Sequence, residues 1–336
     1  MIKRERVLAT IGRLPVDRAA KWLGHPSKEA LPILYDYFHV NEYAGLKKKI
    51  DDDIWEVEAP YHNGTTNAIY AAFDFQSEKS GYTLTKRGYF ADHTDQDEID
   101  DFAWPDPEKY LDPAECKISA DAAPEGYAVM GMLWSAHFQD ACAAFGMEEA
   151  LIKMKTEPVV FKKVIDRIVA FYLKANEIFY QATIGKLDMV LMGNDFGTQL
   201  GLLCSPEDLR TFVFDGTKRL IDQAHRYGLK VVYHSCGAIF DIIPDLIRCG
   251  ADVIHPIQAL ARGMEPEHLK QAFSQQISFC GGVDTQELLV HGTPDDVRQK
   301  ARQLTDLFPT GLIISPSHEA VMPDVPPENI EALFRH

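Results

Sequence analysis

The feature that most constrains the fold is a series of short apolar runs separated by segments with helical periodicity. Five such runs end at Met192, Tyr233, Ile254, Cys280 and Ile314. Continuous apolar runs, as opposed to alternating ones, are typical of parallel strands that are covered on both faces. Repeated strand–helix units without a Gly-x-Gly-x-x-Gly turn favour a barrel over a dinucleotide-binding sheet. The sequence therefore predicts an α/β protein built on a single (β/α)8 TIM-type barrel.

The first third of the chain predicts an elaboration of that barrel. Helical patterns cover residues 3–12 and 28–38, and residues 54–85 alternate polar and apolar side chains, as strands or a hairpin do. Residues 92–113 are acidic and contain prolines, which indicates a surface insertion or lid. No linker is evident, so we expect one domain over residues 1–336, with the hairpin and the acidic insertion within about 50–122.

Composition excludes several classes of function. The formal net charge is −16 and no run of lysine or arginine occurs, so neither nucleic acid nor an anionic membrane surface is an expected partner. No stretch reaches the roughly 18 apolar residues that a membrane span needs. The first residues lack an apolar signal core, and the six cysteines show no disulfide spacing. We therefore expect a cytoplasmic protein with reduced thiols.

A pair of potential metal ligands ends one of the apolar runs. His234 and Cys236 are two residues apart, at the end of Lys230–Tyr233. Strand side chains alternate between faces, so the two point the same way. An imidazole and a thiolate on one face suit zinc or another borderline-soft metal. The alternative is a satisfied core histidine beside a small buried cysteine.

Ionisable or ligating side chains follow each of the five apolar runs. They are Asp195, His234 with Cys236, His255, Cys280 and His318. Because the carboxyl ends of all barrel strands open onto one mouth, we expect these residues to converge there. Packing and hydrogen bonding within the core readily explain a single buried polar residue. A potential ligand after every one of the five runs instead favours a functional site.

Roles within that site follow from the residue types. His234, Cys236 and His318 would give zinc three protein ligands and an open fourth position, as in catalytic zinc sites. Cys280 is an alternative ligand or a packing residue, and His255 is a ligand, a substrate contact or a hydrogen-bonded core group.

Two further candidates follow the first of the five runs. Asp195 and Gln199 would hydrogen-bond substrate or act as an acid or base, unless Asp195 caps a helix. The Tyr61-His62-Asn63 stretch would line the rim of the mouth.

Several motifs resemble the uroporphyrinogen decarboxylase superfamily. The resemblance covers most of the chain, is strongest over about 185–335, and rests on Gly193-Asn194-Asp195-Phe196-Gly197-Thr198-Gln199, His234-Ser235-Cys236-Gly237, Gly281-Gly282-Val283-Asp284-Thr285-Gln286 and Pro316-Ser317-His318 with Pro326-Pro327-Glu328-Asn329-Ile330. It implies a single barrel with its cleft at the carboxyl ends of the strands. It is also compatible with a homodimer.

The resemblance implies one of two activities. Decarboxylases of the family bind their polycarboxylate substrate with an arginine-rich amino-terminal motif, but here the region reads Pro15-Val16-Asp17-Arg18-Ala19-Ala20-Lys21-Trp22, without paired arginines. The other branch consists of corrinoid-linked methyltransferases that bind zinc through His-x-Cys and a distant cysteine. This chain keeps His234 and Cys236 but has His318 at the third position, where Glu319 is a competing ligand.

The favoured hypothesis is therefore a zinc-dependent methyltransferase. It would move a methyl group between a small methylated substrate and cobalamin on a corrinoid protein. The alternatives are a decarboxylase that acts on a porphyrinogen or another carboxylic acid, and a non-catalytic ligand-binding barrel.

Overall fold

The computed structural model describes residues 1–61 and 87–335, which contain eight strands arranged as a nearly closed parallel barrel. This confirms the predicted (β/α)8 fold. The strands are β1 (Ala20–Lys21), β2 (Ile54–Glu58), β3 (Ala128–Trp134), β4 (Met189–Gly193), β5 (Lys230–His234), β6 (Val253–Ile257), β7 (Ser278–Val283) and β8 (Leu312–Pro316). The order around the barrel is β1-β8-β7-β6-β5-β4-β3-β2.

Helices surround the barrel, and short helices precede its first two strands. The α-helices of the described residues are α1 (Lys3–Ile11), α2 (Ala30–Phe38), α3 (Tyr43–Ile50), α4 (Gln96–Asp101), α5 (Pro113–Asp121), α6 (His137–Phe145), α7 (Met147–Thr156), α8 (Pro158–Ala182), α9 (Pro206–Phe212), α10 (Phe214–Arg226), α11 (Ile243–Cys249), α12 (Pro266–Phe273), α13 (Leu288–His291), α14 (Pro294–Leu307) and α15 (Pro327–Phe334). Short 3₁₀ helices cover Pro107–Lys109 and Phe240–Ile242. Among the described residues, no helix has both the length and the apolar composition that crossing a bilayer requires.

Helix boundaries follow local sequence signals. The Ser205 side chain accepts a hydrogen bond from the Asp208 N–H, and Pro206 opens α9. Thr293 and Asp296 form a reciprocal capping box at the start of α14. The long helix α8 begins with Pro158 in its first turn, and its buried apolar residues recur at helical spacing as far as Tyr180.

The barrel closes through carboxylates where β1 meets β2. The Asp53 N–H donates to the Lys21 carbonyl at 3.1 Å, and the Lys21 N–H donates to Asp53 Oδ2 at 2.9 Å. Asp52 Oδ2 accepts the Leu23 N–H at 2.9 Å and also pairs with Lys47 Nζ at 2.9 Å. These side chains replace part of a strand ladder, because β1 is only two residues long.

The acidic segment 92–113 lies against α8. Asp100 pairs with Lys163 and Arg167, and Asp106 pairs with Lys174 at 2.8 Å, while Ile99 is fully buried. The segment is a surface insertion, and several of its acidic side chains bind basic partners on one helix. Of the predicted strands or hairpin over 54–85, the structure shows β2, and residues 62–86 lie outside the described part.

The barrel interior is filled by inward-facing side chains of successive strands. They form a cluster separate from the layer between strands and helices, and it includes Ala128, Met130 and Met132 of β3, Leu191 of β4, Val232 of β5 and Cys280 of β7. The alternation in β5 that turns Val232 inward also turns His234 inward, at the carboxyl end of the barrel. Any site on that residue therefore lies at the mouth.

Candidate metal centre

Close backbone packing fixes the end of β5. A Cβ on Gly193 would lie 2.0 Å from the His234 carbonyl oxygen, so the neighbouring strand leaves no room for a side chain there. Gly237 has φ +85° and sits against the Gly197 backbone, which only glycine tolerates without strain. The two glycines let the loops after β4 and β5 pack together, and this packing brings Asp195 beside Cys236.

One edge of the His234 imidazole faces a thiol and a carboxylate. His234 Nε2 lies 3.4 Å from Cys236 Sγ and 3.2 Å from Asp195 Oδ1. The Cys236 N–H donates to the same Asp195 oxygen at 2.9 Å, and the Gln139 amide donates to the other oxygen at 3.0 Å. The ligand atoms of Asp195, His234 and Cys236 all lie within 4.8 Å of one another. We call these three residues the thiolate group.

The thiolate group fits zinc. Zinc binds nitrogen and oxygen at about 2.0–2.1 Å and sulfur at about 2.3 Å, so donor atoms around a tetrahedral ion are about 3.3–3.6 Å apart. The separations of 3.2 Å and 3.4 Å are close to those edges. Thiolate, imidazole and carboxylate are also the donors that zinc uses. His234 is buried, whereas Cys236 and Asp195 are partly exposed, so the group is open toward the mouth.

The opposite edge of the same imidazole faces a second group of potential ligands. His234 Nδ1 lies 3.0 Å from His255 Nδ1 and 3.5 Å from Glu319 Oε2. The ligand atoms of His234, His255 and Glu319 also lie within 4.8 Å of one another. We call these residues the histidine–glutamate group. His234 thus belongs to both groups, through different ring nitrogens.

The two histidines have opposite electrostatic environments. Burial works to lower the pKa of His234, but the carboxylates of Glu319 and Asp195 and the Cys236 thiol raise it well above the usual value. For His255, burial and the neighbouring His234 both lower the pKa well below the usual value. Burial opposes ionisation of Asp195, yet its contacts with His234 and Cys236 hold its pKa far below the usual range. The neighbouring acidic groups thus favour a proton on His234, and burial disfavours one on His255.

His318 lies beside both groups but belongs to neither. Its ring is edge-on to that of His234, with centroids 6.2 Å apart. Its Nδ1 accepts the Ala320 N–H at 2.9 Å, which leaves Nε2 as the ring nitrogen available to bind a metal. Burial lowers the pKa of His318, but the Cys236 thiol and the Glu319 carboxylate raise it. The ligand role of His318 stays a prediction.

The other residues expected at the mouth have different surroundings. Asp195 caps no helix, because the next helix after β4 begins at Pro206. Gln199 is exposed and donates to the Gln286 side chain at 3.2 Å. Cys280 is buried in the barrel interior, in agreement with its packing interpretation. Tyr61 is buried and bridges to Leu111, and His62 and Asn63 lie outside the described residues.

Two tryptophans that the sequence interpretation missed line the site. The Trp134 ring is edge-on to His234 with centroids 5.2 Å apart, and the Trp22 ring is tilted against His255 at 5.1 Å. Trp134 has φ +56° and follows a register shift in β3, a conformation that costs energy for a bulky residue. Its place at the carboxyl end of β3, where barrel sites gather, is the sequence signal that could have identified it. Trp22 follows a two-residue strand that has no readable pattern.

A cavity of about 270 Å³ adjoins the metal centre on the side of β6, β7 and β8. Its lining combines amides, hydroxyls and apolar groups: Gln258, Asp284, Thr285, Gln286, Ser317, His318, Ala320, Met322 and Val325. The Asp284 carboxylate accepts the N–H groups of Glu287 and Leu288, so it caps the following turn. The cavity is large enough for a small substrate beside His318 and Gln258, whose Oε1 accepts the Gly237 N–H next to Cys236.

The fold and the site define an α/β-barrel protein with clustered metal ligands at the carboxyl ends of its strands. The family model of uroporphyrinogen decarboxylase (URO-D) matches residues 90–336. The chain therefore belongs to the uroporphyrinogen decarboxylase family.

One solved structure has the same fold. A methyltransferase from Methanosarcina mazei is similar with a TM-score of 0.70 and 16% identity, covering 100% of this chain and 98% of that chain. A putative vitamin-B12 independent methionine synthase from Listeria monocytogenes gives a TM-score of 0.44 and 10% identity, covering 95% of this chain and 96% of that chain. No curated protein matches the sequence.

Proposed function

We propose that this chain is a zinc-dependent methyltransferase that moves a methyl group between a small methylated substrate and cobalamin carried on a corrinoid protein. The observation that carries the proposal is the thiolate group. Its imidazole, thiol and carboxylate lie at zinc-binding separations beside an open cavity. The fold shared with a methyltransferase from Methanosarcina mazei supports the same class of reaction.

Zinc would be held by His234 Nε2, Cys236 Sγ and a third donor. In the arrangement present, that donor is Asp195, and His318 Nε2 is the donor expected from the sequence. When bound, the ion would supply Lewis acidity to the heteroatom that loses or gains the methyl group. Substrate would take the position left open toward the cavity.

The chain's own residues would prepare this position. Asp195 orients the thiolate loop by accepting the Cys236 N–H at 2.9 Å. His255 faces the second nitrogen of His234 at 3.0 Å and would accept its proton, so that the ring presents Nε2 to the metal. Gln199 and Gln286 join two loops at the rim, where they would position substrate.

A polycarboxylate decarboxylase is less consistent with the structure. Arg18 pairs with Asp51 and Asp53, and Lys21 Nζ donates to the Phe334 carbonyl at 2.6 Å. Both lie at or before β1 and are engaged in closing the barrel. The described lining of the cavity adjoining the metal centre contains no lysine or arginine that would bind carboxylates.

Methyl transfer to free cobalamin tests the proposal. Purified protein would be loaded with zinc and mixed with cob(I)alamin and a panel of methyl ethers, methylamines, methanol and methyl thioethers, and formation of methylcobalamin would be followed by absorbance. We expect turnover with at least one donor, and losses of at least about 100-fold for His234→Ala and Cys236→Ser.

Cys204→Ser is the matched control, because Cys204 is a partly buried thiol outside both ligand groups. It should retain wild-type activity. No metal binding by the wild type after zinc is supplied would refute the zinc mechanism. Asp195→Asn and His318→Ala identify the third ligand, since the true ligand's variant loses zinc.

A further inference from the structure

We propose that His234 Nδ1, His255 and Glu319 form a second divalent-cation position, suited to Mn²⁺ or Fe²⁺, on the opposite edge of the His234 ring from Cys236. This inference goes beyond the proposed methyl transfer and does not depend on it. The position takes two imidazoles and one carboxylate, a donor set that binds harder first-row ions than a thiolate site does.

The separations suit octahedral coordination. Ligand atoms about 2.1 Å from an octahedral ion are about 3.0 Å apart when they occupy neighbouring positions. His234 Nδ1 lies 3.0 Å from His255 Nδ1 and 3.5 Å from Glu319 Oε2. The three ligand atoms lie within 4.8 Å of one another, so side-chain rotations would have to draw them together around the ion, with the remaining positions left to water.

One buried carboxylate oxygen of the histidine–glutamate group lacks a hydrogen-bond partner among the described residues. Glu319 Oε2 is buried and, among the described residues, accepts no hydrogen bond. His234 Nδ1 and His318 Nδ1 each lie 3.5 Å from Glu319 Oε2, but His318 Nδ1 already accepts the Ala320 N–H. A buried carboxylate oxygen that accepts no hydrogen bond is better stabilised by a directly bound cation than by an imidazole 3.5 Å away.

A buried hydroxyl just after β8 also lacks a hydrogen-bond partner among the described residues. Ser317 Oγ is buried and has no hydrogen-bond partner in the described part of the chain, whereas Ser315 Oγ lies beside the Cys280 thiol. Ser317 directly follows β8 and precedes Glu319 by two residues. Waters carried by a bound cation would give such hydroxyls partners, since buried waters typically make about three hydrogen bonds.

The two positions compete for His234. A neutral imidazole has one lone pair, so the ring serves either the thiolate group through Nε2 or the histidine–glutamate group through Nδ1. Softer ions such as Co²⁺ and Zn²⁺ would take the thiolate side, and Mn²⁺ would take the other. The protein would then bind one ion per chain, with its position set by the identity of the metal.

Two spectroscopic probes separate the positions. Mn²⁺ binding is measured by loss of the free-ion EPR signal, and Co²⁺ binding by the thiolate-to-cobalt charge-transfer band. We expect Glu319→Gln and His255→Gln to weaken Mn²⁺ binding at least about 10-fold while the cobalt band remains. Cys236→Ser should abolish the band and retain Mn²⁺ binding, and His234→Ala should lose both signals.

Controls keep the result decisive. Asp97→Asn removes an exposed carboxylate of α4 and should leave Mn²⁺ binding unchanged. Circular dichroism checks that each variant is folded. If His255→Gln does not fold, the near-isosteric Glu319→Gln variant tests the position by itself. The inference is overturned if the wild type does not bind Mn²⁺, if Glu319→Gln binds it normally, or if Cys236→Ser loses both probes. Absence of methyl transfer changes none of these outcomes.

Discussion

His234 Nδ1 and His255 Nδ1 lie 3.0 Å apart, so one ring must donate the proton that the other accepts. The pKa of His234 is raised and that of His255 is lowered, which assigns the proton to His234. A metal at His234 Nε2 would keep this hydrogen bond, with His255 fixing the tautomer of the ligand. A metal at Nδ1 would replace it. Because of this contact, a metal bound by one ligand group prevents the other group from using His234.

Asp195→Asn should weaken zinc binding by about 10- to 100-fold. Asp195 is a donor of the thiolate group and accepts the Cys236 N–H, so an amide removes the charge and disturbs the loop. Zinc affinity is measured by competition with a chromophoric chelator. Asp222→Asn, at an exposed carboxylate paired with Lys218, should bind zinc normally. Unchanged affinity in Asp195→Asn, with loss in His318→Ala, would assign the third ligand to His318.

Lys47→Met should destabilise the fold by about 3–5 kcal/mol. Lys47 is fully buried and binds Asp52 Oδ2 at 2.9 Å and Glu56 Oε1 at 2.8 Å, so its removal leaves two carboxylates without their cation. The free energy of unfolding is measured by urea titration.

The comparison variant for Lys47 is Lys218→Ala. It breaks an exposed pair with Asp222 and should cost less than about 1 kcal/mol. If Lys47→Met and Lys218→Ala lowered the free energy of unfolding equally, the buried cluster of Lys47, Asp52 and Glu56 would have no special structural role.

Gly193→Ala should destabilise the protein by about 1–3 kcal/mol and lower metal affinity. Its Cβ would meet the His234 carbonyl oxygen at 2.0 Å, which forces β4 and β5 apart at the ligand itself. Gly201→Ala adds the same group where no atom lies within 4 Å, and it should be neutral within about 0.5 kcal/mol. Thermal unfolding and zinc titration of both variants check this. A neutral Gly193→Ala would mean that the strand ends separate freely.

Lys21 should make stability rise with pH between about 8 and 10.5. Burial, reinforced by Arg18, lowers its pKa from 10.5 to about 8 in the folded protein. In that window the unfolded chain binds more protons than the folded chain, so raising the pH favours folding, by about 1–2 kcal/mol after allowance for solvent screening. Below pH 8 both states are protonated, and the cost of burying the charge is constant.

The measurement for Lys21 is urea unfolding at pH 7, 8, 9 and 10, for the wild type and Lys21→Met. The free energy of unfolding of the wild type, relative to that of Lys21→Met, should increase as the pH rises above 8. A difference that stays constant over this range would show that Lys21 keeps its ordinary pKa when folded.

The sequence alone determined most of the barrel. Continuous apolar runs at β4 to β8 and the periodicity of α8 are local patterns, because covered parallel strands and amphipathic helices impose them wherever they occur. The polar residues after those runs also revealed the mouth, since parallel strands end at one edge. β1 escaped prediction because two residues carry no periodicity, and β2 alternates like an ordinary hairpin strand.

Only the tertiary structure decided which of these residues share a site. The sequence favoured His318 as the third zinc ligand, kept Cys280 as an alternative and gave Asp195 a substrate or acid–base role. Strand alternation turns Cys280 into the packed interior. The path of the loop after β4 brings Asp195 to Cys236, and the turn after β8 brings Glu319 to His234. Distances across a barrel depend on strand tilt and on how loops pack, and no local pattern encodes them.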